Sequence, residues 1–553
     1  MKNKHALIII ICIYALSALA LNLVFDLTIS NSYQRAITAG SIAQLLHNEP
    51  GKLTDITALK AYFIDGHAHY KLFSGISDWQ PLQVILLTAV FFFFGINTFS
   101  ILLVPLAITI LTLIYLYRLA LDNYHRENVA TLTILLVGLS TLFLYESASL
   151  LLETGITLFT TMTIFYFARY LKSRTSRSFY LAALSLGLGL LYHIQMAFVL
   201  PAMCIVFLWK TPLKPFFTTP KNYRMLAIAC CIILTVLIPF IVREIVLTHE
   251  GISVFKTRAA TRVNYLYEHT VTKPGFVTAN DFEFQNPLPW YKKELILNRY
   301  LLSYLQKAVV TFSAFFFNWI LAPLAFFWLF ARRKKCNDAE LIILLFCITT
   351  LSIFTLEGLL PRYVIPAAIL FTTFAAPGAY LLPKKVFKPV LALVIAILFI
   401  QAGLFFERIY QGEHVQSMQH DYDTTAAYIL NTTTGNFTVI TTRVYQMAFA
   451  VMRRDIERRA YVEMVPFNQT SFTTMLEGNF STPELLAGTS LPYPTSRPPV
   501  RYVIVHEELE TGALQGTADY NVRDYLEHYP HANLAKIIPS AFPNATTWIY
   551  SIN

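Results

Sequence analysis

Long uncharged apolar runs alternate with short basic clusters along this chain, and that alternation leaves few folds open to it. A helix that crosses a bilayer needs about 20 apolar residues. Runs of that kind, some shorter, occupy 6–25, 99–117, 129–145, 149–168, 179–191, 196–209, 225–243, 307–330, 339–356, 363–382 and 387–405. Between them lie "RYLKSRTSR" (169–177), "KTPLKPFFTTPKNYR" (210–224), "ARRKK" (331–335) and "PKKVFK" (383–388). Charged residues make up only 14% of the 553, where a soluble protein carries about a quarter. The chain reads as a polytopic α-helical membrane protein of about eleven spans.

The net charge of +10 does not point to nucleic acid. Its basic residues sit in the short clusters between apolar runs, where cytoplasmic loops carry them. No nucleic-acid partner is expected. The six cysteines show no metal-ligand spacing, and the segments assigned outside the membrane contain none, so no disulfide framework is expected there. The basic start and apolar core of "MKNKHALIIIICIYALSALALNLVFD" resemble a signal peptide, but the run is longer than a usual signal core, and a retained first span is expected.

Orientation follows from the charges. Lys2 and Lys4 place the N-terminus in the cytoplasm, so the first span exits near Asp26. Counting back from the cluster at 169–177 through "YRLALDNYHREN" (117–128) puts the start of the 99–117 run outside as well. The apolar segment 81–95, led by Pro81, then has both ends on the outer face and lies in the interface instead of crossing. The expected organisation is a transmembrane module over 1–405 and a soluble α/β domain over 406–553 on the outer face. The module has a first outer loop with interfacial helices (26–98) and a second large outer loop (244–300). The tail carries strand-like runs "FTVITT" (437–442), "RYVIVH" (501–506) and "TTWIYSI" (546–552), and a helix over 421–431. Its five Asn-x-Ser/Thr sequons, at Asn431, Asn436, Asn468, Asn479 and Asn544, are read as coincidental in a Thr-rich bacterial domain.

The order of these parts resembles the GT-C glycosyltransferases, and within them the branch of protein O-mannosyltransferases and lipid A aminoarabinose transferases. Four stretches carry the resemblance. "DWQPLQVILLTAVFFFFGINTF" matches the Pro-led helix after the first outer loop. "YESASLLLETGITLFTTMTIFYFARYL" places Glu153 where the family has an acidic residue opening a span. "LGLGLLYHIQMAFVLP" places His193 eight residues before Pro201, where the family has a basic residue. "EGLLPRYVIP" places Arg362 at the outer mouth of a late span. Two positions depart from the pattern: Asp26 is followed by Leu27 instead of a second acid, and Gln80 replaces the basic residue before the helix proline.

The resemblance implies a transferase that moves a sugar from a polyprenyl-phosphate-linked donor to a periplasmic-side acceptor: a glycolipid, a glycan or a protein. It implies a multi-pass protein of the bacterial inner membrane. Such a reaction needs a base for the acceptor proton and cations for the departing lipid phosphate. Asp26 and Glu153 are the catalytic candidates, and Asp55, Asp65 and Asp78 share the outer loop with Asp26. Arg362, His193, Lys71 and Arg258 are the phosphate-binding candidates, Arg being suited by its two-pronged fork. The plainer alternatives are a carboxylate that ends a span and an arginine that snorkels to the interface. A divalent metal ion is a candidate for sharing the electrostatic work, with Asp26 and Glu153 as its ligands. "IDGHAHY" (64–70) offers two His near Asp65, but without a fourth ligand it reads as loop polarity. Two other functions fit the hydropathy: a transporter or flippase of a lipid-linked glycan, and a non-catalytic subunit that keeps the GT-C body.

Overall fold

The computed structural model describes residues 2–25, 30–48, 50–51, 81–141, 143–144, 152–211, 218–249, 320–332, 336–357, 364–410, 419–442, 444–455, 460–465, 469–478, 498–508, 521–539 and 545–553. The first helix, α1 (Lys2–Phe25), is followed by α2 (Ser30–Asn48) and by α3 (Pro81–Phe94). At about 1.5 Å per residue α3 is too short for a bilayer core of about 30 Å. It begins at the proline marked by the sequence and ends at Gly95, which takes a positive φ of 76° that a side chain would resist.

The helical body continues with α4 (Thr98–Tyr124), α5 (Glu127–Gly138), α6 (Leu152–Ser173) and α7 (Ser176–Tyr192). A 3-10 turn over Ile194–Phe198 then leads into α8 (Val199–Lys210) and α9 (Pro220–His249). Beyond it lie α10 (Ala322–Arg332), α11 (Asp338–Glu357), α12 (Ile365–Thr372), α13 (Ala375–Ala379) and α14 (Lys384–Tyr410). Among the described residues three helices are long and apolar enough to cross a membrane: Phe99–Tyr124, Pro220–Ile241 and Lys384–Leu404. Only 11% of the apolar windows in the second and third is buried against protein, so both present lipid-compatible surface nearly all round.

Two runs read as unbroken spans are interrupted. The run 363–382 is split into α12 and α13, because Thr372 and Thr373 turn their hydroxyls onto the carbonyls of Ile369 and Leu370, both at 2.6 Å. The run 196–209 begins as the 3-10 turn and becomes α-helical at Val199. Small residues let the helices close up, as membrane bundles require. A methyl group on Gly155 of α6 would overlap the ring of Tyr192 at the end of α7. One on Gly187 of α7 would meet Val236 of α9 at 3.3 Å. The start of α11 is closed by a reciprocal cap, in which Asn337 Oδ1 accepts from Glu340 N–H and Glu340 Oε2 accepts from Asn337 N–H, each at 2.9 Å.

The tail folds as an α/β unit. Its helices are α15 (Gln419–Thr432), α16 (Val444–Arg454), α17 (Gln469–Leu476) and α18 (Val522–His528). Its strands are β1 (Phe437–Thr441), β2 (Ala460–Met464), β3 (Val500–Glu508), β4 (Ala532–Pro539) and β5 (Ala545–Ile552). They form one sheet in the order β2-β1-β3-β5-β4. β1 lies parallel to both β2 and β3, and all five of its residues are buried, as expected of a strand covered on both faces. β5 pairs antiparallel with β3 and β4. β4 closes an edge and carries Lys536 and Pro539, residues that discourage further strand pairing.

This unit rests on α2. Gln44 Nε2 donates to the carbonyl of Met452 at 3.3 Å, and Ser41 Oγ lies 3.8 Å from the Met452 sulfur. The ring of Phe91 on α3 packs against Phe449 of α16, centroids 6.5 Å apart. The helices α2 and α3 thus lie between the helical body and the tail.

Candidate active site

Glu153 and His193 are brought to one end of the α6–α7 hairpin. Glu153 lies in the first turn of α6, and His193 caps the end of α7. The packing of Gly155 under Tyr192 holds these two ends together, with Phe159 against the same tyrosine at 5.7 Å between rings. The hairpin turn and its basic cluster lie at the far end. There Arg174 takes a positive φ of 53° and is fixed by Thr211 Oγ1 at 2.9 Å and the Lys210 carbonyl at 3.1 Å.

Glu153 is 1% exposed. A helix N-terminus favours a carboxylate by about 0.3–1 kcal/mol, up to about 2 when partly buried. Removing a charge from water costs several kcal/mol. A buried ionisable side chain in the first turn of a span is the pattern expected of a group retained for use. His193 is half-buried and extended (φ −162°, ψ 138°). Its Nδ1 accepts from the Gln195 N–H at 3.2 Å, so the neutral ring carries its proton on Nε2. The same bond starts the 3-10 turn that leads into α8.

α3 is in contact with α2, α4 and α7. Thr88 Oγ1 of α3 donates to the Ala39 carbonyl of α2 at 3.4 Å, and His47 Nε2 pairs with the Phe92 carbonyl at 3.0 Å. Of the buried polar residues on these helices, Arg35 and Gln83 are the largest, and neither stood out in the sequence. Arg35, one turn before Ala39, is 2% exposed. Gln83, in the first turn of α3, is 0% exposed, and among the described residues neither atom of its amide has a hydrogen-bond partner. The sequence did hold a signal for Gln83: it and Thr88 are the only polar residues in an otherwise apolar 14-residue helix.

A buried amide without partners costs about 1–3 kcal/mol. Gln83→Leu is therefore expected to leave thermal stability unchanged or raise it. It is also expected to lower sugar transfer several-fold, because the amide is kept for a group that arrives with the substrate. A scanning-calorimetry Tm paired with a transfer assay checks this; a lower Tm would make Gln83 a structural residue.

Asp26, Lys71, Arg258 and Arg362 lie outside the described residues, as do Gln80, Asp55, Asp65, Asp78 and the "IDGHAHY" stretch. Among the described residues no three His, Cys, Asp or Glu side chains converge in a way that would hold a metal ion. Glu153 is the one described carboxylate of the candidate metal-binding pair, Asp26 lying outside the described residues.

The chain is similar to known proteins at two levels. Residues 80–239 match the dolichyl-phosphate-mannose-protein mannosyltransferase family, a stretch that begins at Gln80 and includes α3, Glu153 and His193. This bears out the resemblance to the GT-C glycosyltransferases. The fold as a whole is similar to that of ArnT from Cupriavidus metallidurans. Its crystal structure in the apo state has a TM-score of 0.51 at 10% identity, covering 88% of this chain and 92% of that one. The crystal structure of the same protein bound to undecaprenyl phosphate also gives 0.51 at 10% identity, covering 91% and 98%. No curated protein sequence matches the chain.

Proposed function

We propose that this protein is an inner-membrane glycosyltransferase that moves a sugar from a polyprenyl-phosphate-linked donor to an acceptor on the periplasmic face. The observation that carries the proposal is the meeting of a buried carboxylate, Glu153, and a tautomer-fixed histidine, His193, at one end of α6–α7 within an ArnT-like fold. In that reading the acceptor oxygen or nitrogen forms a bond to the anomeric carbon as the bond from that carbon to the phosphate oxygen breaks. The acceptor's proton passes to Asp26, and the polyprenyl phosphate leaves with the bonding pair. Arg362, Lys71, Arg258 and His193 stabilise the phosphate, joined by the buried guanidinium of Arg35. Glu153 orients the acceptor. Domain limits of 1–405 and 406–553 belong to the same proposal, with the tail covering the outer loop.

The test is transfer of radiolabelled sugar from a panel of undecaprenyl-phosphate-linked donors in membranes that carry the protein. Label appearing in an acceptor only when the protein is present, and only from lipid-linked donors, supports the reading. Movement of the intact donor across vesicles without any transfer would point to a flippase instead.

A further inference from the structure

At the opposite end of the helical body lies a second polar site that transfer does not use. Arg118, Leu121 and Asp122 near the end of α4, with Phe165, Tyr166 and Arg169 near the end of α6, line a cavity of about 230 Å³. Arg169 is sixteen residues beyond Glu153 on α6, roughly 24 Å along the helix axis. The cavity and the candidate active site are thus separated by most of a bilayer core. Lys172 sits at its rim, its Nζ donating to the Asp122 carbonyl at 3.1 Å.

The charged side chains of this cavity are not spent on one another. Among the described residues neither guanidinium forms an ion pair or a hydrogen bond, and the Asp122 carboxylate is in no ion pair. Arg118 lies over the ring of Tyr115, 5.7 Å from its centroid. Tyr115 and Tyr166 share one hydrogen bond at 2.9 Å. Two phenols hold two protons, so one O–H is left to donate elsewhere, and among the described residues it has no acceptor. The site therefore offers two forked cations, a spare hydroxyl donor and one carboxylate beside an apolar wall. Snorkelling arginines explain cations at a membrane edge. They do not explain two cations, a carboxylate and a phenol pair converging on one cleft.

We propose that this cleft binds the headgroup of a membrane phospholipid that carries a phosphate diester and an N–H or O–H donor. Arg118 and Arg169 hold the phosphate, aided by the spare phenol, and Asp122 accepts from the headgroup's ammonium or hydroxyl. Leu121 and Phe165 face the first carbons of the chains. A volume below the roughly 300–1,000 Å³ of small-molecule sites fits a headgroup and not a lipid-linked sugar. A headgroup with a quaternary ammonium has the phosphate but no N–H, and Asp122 discriminates against it.

The test uses the full chain in detergent, with retained lipid counted by native mass spectrometry. Dioleoylphosphatidylethanolamine should be retained about tenfold better than dioleoylphosphatidylcholine. Arg118→Gln with Arg169→Gln should cut that retention about tenfold, whereas Arg177→Gln, an exposed cation outside the cavity, should not. Asp122→Asn should bring the two lipids to near-equal retention. Full retention by the double variant, or no preference between the lipids in wild type, would overturn the proposal. Displacement of the lipid by millimolar inorganic phosphate would also overturn it, by making the site one for a soluble anion. If the double variant gives no folded protein, the ratio for Asp122→Asn decides alone.

Discussion

Glu153→Gln is expected to lower sugar transfer by about 10²-fold while changing the protein's stability little. The substitution keeps side-chain size and leaves a carbonyl acceptor, so the packing under Tyr192 and the first turn of α6 stay in place. It removes one charge from a position that is 1% exposed. If the carboxylate only anchored the start of a span, losing its interaction with the helix N-terminus would lower Tm by an amount set by about 0.3–1 kcal/mol. If it orients an acceptor, the rate falls while Tm changes little. Donor titration separates the roles further: kcat should fall with little change in KM for the lipid donor. A fall in Tm with transfer intact would make Glu153 structural.

The sequence made this residue legible for a simple reason: a charge inside an apolar run stands out whatever surrounds it. The same contrast revealed Pro81 as the start of α3 and separated β1, β3 and β5 from the polar tail. Arg35 was hidden because α2 has mixed polarity, and its burial depends on α3 and α16, which come from distant parts of the chain. Gln83 does not stand out because an uncharged amide in a first turn looks like an ordinary helix start, and its burial depends on the helices packed around α3. β2 and β4 escaped for opposite reasons. "AYVEM" is short and includes Glu463, which becomes 2% exposed only through its neighbours. "ANLAKIIP" is an exposed edge without the apolar alternation of a half-buried strand. The 3-10 turn at the start of the 196–209 run depends on a single side-chain hydrogen bond from His193, which no periodicity records.

Asp26→Asn is expected to reduce transfer by about 10²–10⁴-fold, the range for loss of a positioned general base. The argument is one of charge flow. As the anomeric carbon takes the acceptor atom, that atom becomes positive unless its proton leaves, and the lipid phosphate departs as an anion. Cations at the phosphate help the second half only. A base must serve the first half, and it must stand on the outer face, where the first span ends. Asparagine keeps the shape and cannot take the proton. In membranes with matched expression, donor binding should survive while label in the acceptor disappears. Raising the pH should restore part of the transfer, since a more ionised acceptor needs the base less. Equal transfer by wild type and Asp26→Asn would remove Asp26 from the chemistry and move the base to Asp55, Asp65 or Asp78. Loss of donor binding together with transfer would instead place Asp26 among the groups that shape the phosphate site.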